Sequence, residues 1–491
     1  SGSFDINVRD VTFVGSRHYD GTTDANTSNF TSTFSNLVSG ENLNLTGSGS
    51  VASKNVASGQ SISLGSIALA NGTAASSNYN LTSATLDITK RPLDLTGTRI
   101  YDSSATAASS DLTTINHLVG SETIGLSGNG DLGNATFGDL KTLTNVSGLT
   151  ISDGTNGGLA ANYSVPTGET TTANITAKAL TVSGITASNK TYDGSTNVTL
   201  DASSVAYSGL VSGDTFNGTY AGAFSDKNVG TGKTVTITSS YTGADVSNYS
   251  VTDQSSTTAN ITAKALTVSG ITASNKTYDS TTSATLGTGS VSYGGLVSGD
   301  DFTGSYSGVF ANANAGSSKT VNITSSYSGA DVSNYTVTDQ SSTTADISAK
   351  ALTATASASN KTYDGSSAAT TTLSLSGFIG SETVTSTNSS TFNNKNVGTG
   401  KTVTVNSITL ADGTNGGLAS NYSISTGQTT TADISAKSLT VSGITASNKT
   451  YDGNATATLD ASSVAYSGLV SGDTFNGTYS GVFSNKNVGT G

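Results

Sequence analysis

The sequence predicts an all-β protein, a linear tandem array of small Ig-like antiparallel β-sandwich domains forming a rod, with β-grasp-like repeats as the alternative. Three observations carry this reading. A Tyr-Asp step returns six times, at Tyr19-Asp20, Tyr101-Asp102, Tyr192-Asp193, Tyr278-Asp279, Tyr363-Asp364 and Tyr451-Asp452, at steps of 82 to 91 residues. That is too long for a solenoid repeat and about right for one small domain. No ten-residue stretch of the repeat has helical periodicity, whereas short alternating runs of Val, Ile, Leu, Tyr and Phe recur throughout. Turn signals every ~8–12 residues leave room for about seven short strands per copy, the pattern of a small sandwich.

The copies are expected at 5–90, 91–177, 178–263, 264–349, 350–436 and 437–491, the last incomplete, so the chain reads as a stretch of a longer one. In the third copy Leu180 to Val182 alternates, then changes phase after Gly184 into Ile185 to Ala187, which predicts a bulge or a passage between sheets. Lys190-Thr191-Tyr192-Asp193-Gly194 follows as a turn; because Ser103 and Ser280 replace the glycine elsewhere, the turn is not expected to depend on a positive φ. Gly209 to Asp214 reads as a short turn capped by its acid, a place held by Glu41, Glu122 and Glu382 in other copies. A Phe224 strand, the loop from Lys227 to Gly232, the Thr-faced strand from Lys233, the pair Asn248-Tyr249 and a last strand through Ile261 complete the unit. Between Ile261 and Leu266 lie only Thr-Ala-Lys-Ala, too short and too stiff for a flexible linker. At ~3.3 Å per residue such beads would together reach on the order of 150–220 Å.

Composition narrows the function. Of 491 residues only 11% are charged, the net charge is −12 and no Lys/Arg cluster occurs, so a nucleic-acid partner is not expected. No apolar run approaches the ~18 residues of a membrane span, and direct membrane insertion of this segment is not expected. Cys, Met and Trp are all absent, which removes disulfides, Cys-ligated metals and the side chains most prone to oxidation.

Chemistry is sparse. Gly230-Thr231-Gly232-Lys233-Thr234 suggests a phosphate loop, but the required first glycine is Lys227 and a strand rather than a helix follows. His18 and His117 are the only histidines and stand at non-equivalent places, so no repeated catalytic set can be assembled and no enzyme is expected. No cofactor is expected; calcium is the one metal considered, with Asp193, Asp214 and Asp245 as its candidates. Lys178, Lys264, Lys350 and Lys437 at the joins oppose it. A Lys–Asn isopeptide link could use Lys190 or Lys233 with Asn248. The tyrosines of the Asn-Tyr pairs, Tyr79, Tyr163, Tyr249, Tyr335 and Tyr422, are expected to bury their rings with the hydroxyl bonded to backbone, as at a tyrosine corner.

The ordered set Lys-Thr-Tyr-Asp-Gly, Gly-Leu-Val-Ser-Gly-Asp, Lys-Asn-Val-Gly-Thr-Gly-Lys, Gly-Ala-Asp-Val-Ser-Asn-Tyr and Ile-Thr-Ala-Lys-Ala-Leu resembles the YDG repeat and the related mostly-bacterial Ig-like (MBG) repeat. The resemblance covers nearly the whole chain. Copy one departs at Arg17-His18-Tyr19, copy two lacks the Lys-Asn-Val-Gly loop, and copy four reads Asn312-Ala313-Asn314-Ala315-Gly316 there. What the resemblance implies is the stalk of a filamentous-haemagglutinin-type adhesin. Such a protein is exported through an outer-membrane transporter by two-partner secretion and displayed at the bacterial cell surface or in the biofilm matrix. Its partners would be other copies of the adhesin or exopolysaccharide, and the family assigns no catalytic residues to the repeat.

Overall fold

The structure is a computed structural model that describes residues 2–29, 31–166 and 168–491. It is all-β, with many small sheets repeated along the chain. Among the described residues the only helical elements are three-residue 3₁₀ turns, and no helix is long and apolar enough to cross a membrane. Two compact units are distinguished, Ser1–Thr191 with Ser195–Thr262, and Tyr192–Gly194 with Ala263–Gly491.

In the first unit, copy three shows how the sequence becomes sheet. Lys178–Ser183 lies between Ala206–Ser208 and Tyr249–Thr252, burying Leu180 and Val182 on one face while Thr181 and Ser183 stay exposed. At Gly184 the chain leaves this sheet, as the phase change predicted. Its φ is +87°, and a Cβ there would fall 2.3 Å from the carbonyl oxygen of Ser204, so both the conformation and the close approach require glycine. Thr186–Ala187 then pairs with Leu200–Asp201. Lys190–Thr191, Ser256–Thr262, Gly230–Thr242 and Asn217–Phe224 form a four-stranded sheet in that order. Leu180, Val182, Ile185, Phe216, Ile237 and Tyr249 belong to a buried cluster that runs without interruption back to Phe13, through copies one to three.

Within this all-β array the pairing is mixed rather than wholly antiparallel. In copy one Arg9–His18 pairs in parallel with Tyr79–Thr89, flanked by antiparallel Thr31–Ser35 and Ala57–Ser61. The opening strands of later copies also run parallel to closing ones, as Lys178 does against Tyr249 and Lys190 against Ile261. A copy whose first and last strands lie side by side enters at one end and leaves at the other, which is why the next copy can begin at Lys264 directly after Thr262.

In the second unit, copies four and five repeat the plan with five-stranded sheets, for example Lys276–Thr277, Ser342–Ser348, Gly316–Ser328, Thr303–Phe310 and Ser283–Ala284. A buried cluster from Tyr278 to Tyr422 again crosses from one copy into the next.

Candidate functional site at the joins between copies

Several of the most deeply buried polar groups among the described residues, Asn162, Asn248 and Asn421, lie where copies meet. Tyr19 and Tyr163 are fully buried, and both hydroxyls donate to one carboxylate, Tyr19 to Glu122 Oε1 and Tyr163 to Oε2, each at 2.7 Å. Their rings stand edge to face, centroids 5.5 Å apart, the preferred geometry for aromatic pairs. Tyr19 belongs to copy one; Glu122 and Tyr163 belong to copy two.

The same triad recurs. Tyr101 and Tyr249 donate to Asp214 Oδ2 at 2.8 and 2.5 Å. Tyr278 and Tyr422 donate to Glu382 Oε1 and Oε2 at 2.8 and 2.7 Å. In the second unit Tyr192 and Tyr335 donate to Asp300 Oδ2 at 2.8 and 2.5 Å. The longer Glu offers each hydroxyl its own oxygen, whereas the shorter Asp receives both on one. Between copies five and six, Asp473 beside Tyr363 raises that hydroxyl.

Local structure explains each part. The acid sits on a tight turn, Glu122 N–H bonding Val119 O and Asp214 N–H bonding Val211 O. The turn is therefore closed by backbone, and the expected capping by the carboxylate is overturned: the side chain points at the tyrosines instead. The second tyrosine follows a 3₁₀ turn such as Val246–Asn248. Its ring is buried and its hydroxyl accepts a backbone N–H, from Val119 to Tyr163, Val211 to Tyr249 and Ile379 to Tyr422, at 2.9–3.1 Å. The donation to the carboxylate is the half that sequence reasoning missed.

A second contact flanks the triad. The side-chain oxygens of Asn162, Asn248 and Asn421, all essentially inaccessible, accept the backbone N–H of Val56, Phe137 and Ala315 in the preceding copy at 2.8–2.9 Å. Because the donor is backbone, the Lys-Asn-Val-Gly loop can vary in side chain from Val to Phe to Ala and still dock. Lys54 of that loop brings its amine to 3.5 Å from Glu122, and Lys395 reaches 3.7 Å from Asp473.

The Tyr-Asp-Gly turn itself is now legible residue by residue. Its tyrosine enters the next copy. Its aspartate caps the turn, Asp364 Oδ1 accepting Ser366 N–H at 2.9 Å and Asp279 accepting Thr281 N–H at 2.9 Å. The aspartate also pairs with a cation three residues earlier, Arg17 with Asp20, Arg99 with Asp102, and Lys276, Lys361 and Lys449 with Asp279, Asp364 and Asp452 at 2.7–2.9 Å. The bond from Lys361 holds the Asp364 carboxyl down to about 2. Lys190, Lys276 and Lys361 place their amines 5.6 Å from the ring centres of Phe224, Phe310 and Phe392. The turn glycine has a positive φ and lies against the next copy: a Cβ on Gly21 would fall 2.6 Å from Val119 Cγ1. Ser103 and Ser280 keep that conformation, at φ 64° and 62°, so the expectation that the turn is independent of positive φ is corrected. Serine there bears a left-handed strain of roughly 1–2 kcal/mol.

The buried hydroxyls titrate high. Burial above all, with the adjoining carboxylate adding, pushes Tyr19, Tyr163, Tyr249, Tyr278 and Tyr335 up to about 12.

The remaining expected residues are placed as follows. Of the calcium candidates, Asp214 is engaged by the two tyrosines. Asp245 Oδ2 accepts Thr215 N–H and Oγ1–H at 2.8 and 3.1 Å, and Asp193 occupies the turn after Tyr192. Among the described residues no three His, Asp or Glu side chains gather as a metal site. The isopeptide partners are engaged apart: Lys190 donates to Ser195, Lys233 to Asp226, and Asn248 accepts Phe137. Gly230 to Thr234 lies within the strand Gly230–Thr242, with no helix N-terminus to meet a phosphate. Tyr79 donates to Glu41 of its own copy, and Tyr451 is 58% exposed.

Comparison with curated proteins returns no match. The YDG domain family model matches six times in tandem, at residues 5–86, 89–173, 176–259, 262–345, 348–432 and 435–491. With nearly every residue inside one of six consecutive matches, the chain belongs to the YDG domain family.

Proposed function

We propose that the chain is a structural stalk of a large secreted or surface-displayed bacterial fibrous adhesin, projecting a distal binding domain and supporting cell aggregation and biofilm formation. The observation that carries this reading is the recurring tyrosine–carboxylate–tyrosine join. Buried tyrosines, carboxylates and asparagines at the copy boundaries hold one copy to the next. A transporter-exported protein at the cell surface or in the biofilm matrix, associating with other copies of itself or with exopolysaccharide, fits such a construction. The YDG domain is not a known enzyme family, and the functional reading includes no catalysis.

The competing reading, in which the repeats themselves bind polysaccharide, asks for an exposed aromatic once per copy. Tyr19, Tyr101, Tyr192 and Tyr278 are instead at most 4% exposed, which favours the spacer. Small-angle scattering of the chain, in calcium and then in chelator, tests the proposal. A stalk gives a maximum dimension of about 150–220 Å from strand length and copy number, the same in both conditions. A compact particle refutes it, and collapse on chelation transfers the stiffening to calcium.

A further inference from the structure

Two features of the joins change together along the chain. The copies that supply the tyrosine to the first, third and fifth joins carry Gly21, Gly194 and Gly365 after the Tyr-Asp step, and Lys54, Lys227 and Lys395 in the docking loop. The copies that supply it to the second and fourth carry Ser103 and Ser280, with Ala135 and Ala313. The two positions are 30 to 33 residues apart in sequence, yet both face the acid-bearing turn of the next copy. Gly21 and Gly365 lie against Val119 and Val470, and Lys54 and Lys395 against Glu122 and Asp473.

From this pairing we infer that the joins are of two strengths, and that copies two and three, and copies four and five, separate before copies one and two or five and six. Two physical terms act in the same direction. At the Gly/Lys joins the carboxylate that receives the tyrosines also faces an amine, at 3.5 Å for Glu122 and 3.7 Å for Asp473. At the Ser/Ala joins no basic side chain among the described residues lies within ion-pair distance of Asp214 or Glu382, so separation costs no ion pair. Ser103 and Ser280 are held at φ 64° and 62° while Gly21 and Gly365 sit at 76° and 79°. Glycine regains more backbone freedom when its turn is released, but serine escapes a left-handed conformation that L side chains avoid at a larger cost, so the balance still favours release at serine. Separation thus starts between copies two and three and between copies four and five, a graded response that identical joins would not give. The inference rests on join geometry and stands whether or not the chain is a stalk.

Three amides report it directly, because each donates across a join to a buried Asn oxygen at nearly the same length: Val56 at 2.9 Å, Phe137 at 2.9 Å and Ala315 at 2.8 Å. Hydrogen exchange of the full chain, corrected for intrinsic rates, is expected to show Phe137 and Ala315 at least tenfold less protected than Val56. Ser103→Gly combined with Ala135→Lys should raise protection at Phe137 severalfold and leave Ala315 where it was. The reverse pair, Gly21→Ser with Lys54→Ala, should bring Val56 to the level of Phe137. Equal protection at the three amides, or exchange at Phe137 and Val56 that ignores both pairs of substitutions, overturns the inference.

Discussion

Removing the Glu122 carboxylate should cost far more than removing either hydroxyl that it receives, and the two losses should not add. Tyr19→Phe deletes one 2.7 Å bond and leaves Glu122 with Tyr163 and the Lys54 amine. A hydrogen bond to a charged group contributes about 1.5–3 kcal/mol, which sets the expected loss. Glu122→Ala instead takes the acceptor from two fully buried hydroxyls, leaving Tyr163 only the Val119 N–H, and opens a void between two rings 5.5 Å apart. Breaking a buried charged contact of this kind costs about 3–5 kcal/mol. Once the acceptor is gone, the Tyr19 hydroxyl has no partner to lose, so Tyr19→Phe in the Glu122→Ala background should change stability by less than about 0.5 kcal/mol. A multi-copy chain does not unfold in two states, so the assay must be local: native-state exchange of the Val56 amide, which closes the same join on Asn162. Additivity of the two substitutions within about 0.5 kcal/mol would show that Tyr19 and Glu122 act independently and would refute the triad as a unit.

Alkali should release the joins. The hydroxyls of Tyr19, Tyr163, Tyr249, Tyr278 and Tyr335 titrate at about 12 when folded and at about 10 when free. Their contribution is therefore whole below pH ~10 and lost as the pH climbs towards 12, which tyrosinate absorbance followed with exchange at Val56 will register. Gly365→Ala, at φ 79° with Val470 Cγ1 2.8 Å from the new Cβ, should destabilise its join by about 2–3 kcal/mol. Gly400→Ala, at φ 58° with nothing within 4 Å, should cost only about 1 kcal/mol; equal melting shifts for the two would remove the steric argument. Asn248→Ala removes the acceptor of the Phe137 N–H and should lower protection there by about 0.5–1.5 kcal/mol while sparing Val56.

Much of this architecture was legible without coordinates. The sixfold period, the alternating strands and the passage between sheets at Gly184 all follow from backbone and burial rules that act over a few residues. The partner of the Tyr-Asp tyrosine did not follow, and the reason lies in the repeat itself. Tyr19 meets Glu122 across 103 residues, one copy and part of another. In a periodic sequence every motif recurs at every such offset, so no spacing singles out the contact. Local spacing alone makes Glu122 a cap for its own turn, a role that the Val119 carbonyl already fills. The signal that could have exposed the join is the joint exchange of Gly for Ser and Lys for Ala in copies two and four. Two distant positions that change together are natural neighbours of a third surface. The serines misled in another way, because side-chain identity alone suggested a relaxed turn where the chain tolerates strain at Ser103 and Ser280.

A copy of this chain carries both halves of a join, interleaved along its sequence. The acid, the Asn and the second tyrosine receive; the first tyrosine and the docking loop are received. Since the loop docks through a backbone N–H, the side chain at that position is free to drift without a matching change in the neighbour. A gene for such a chain can therefore gain or lose whole copies by in-frame recombination, and every new boundary is assembled from parts that already fit. Length becomes a quantity that selection can adjust by counting, with no interface to redesign and no bead to refold.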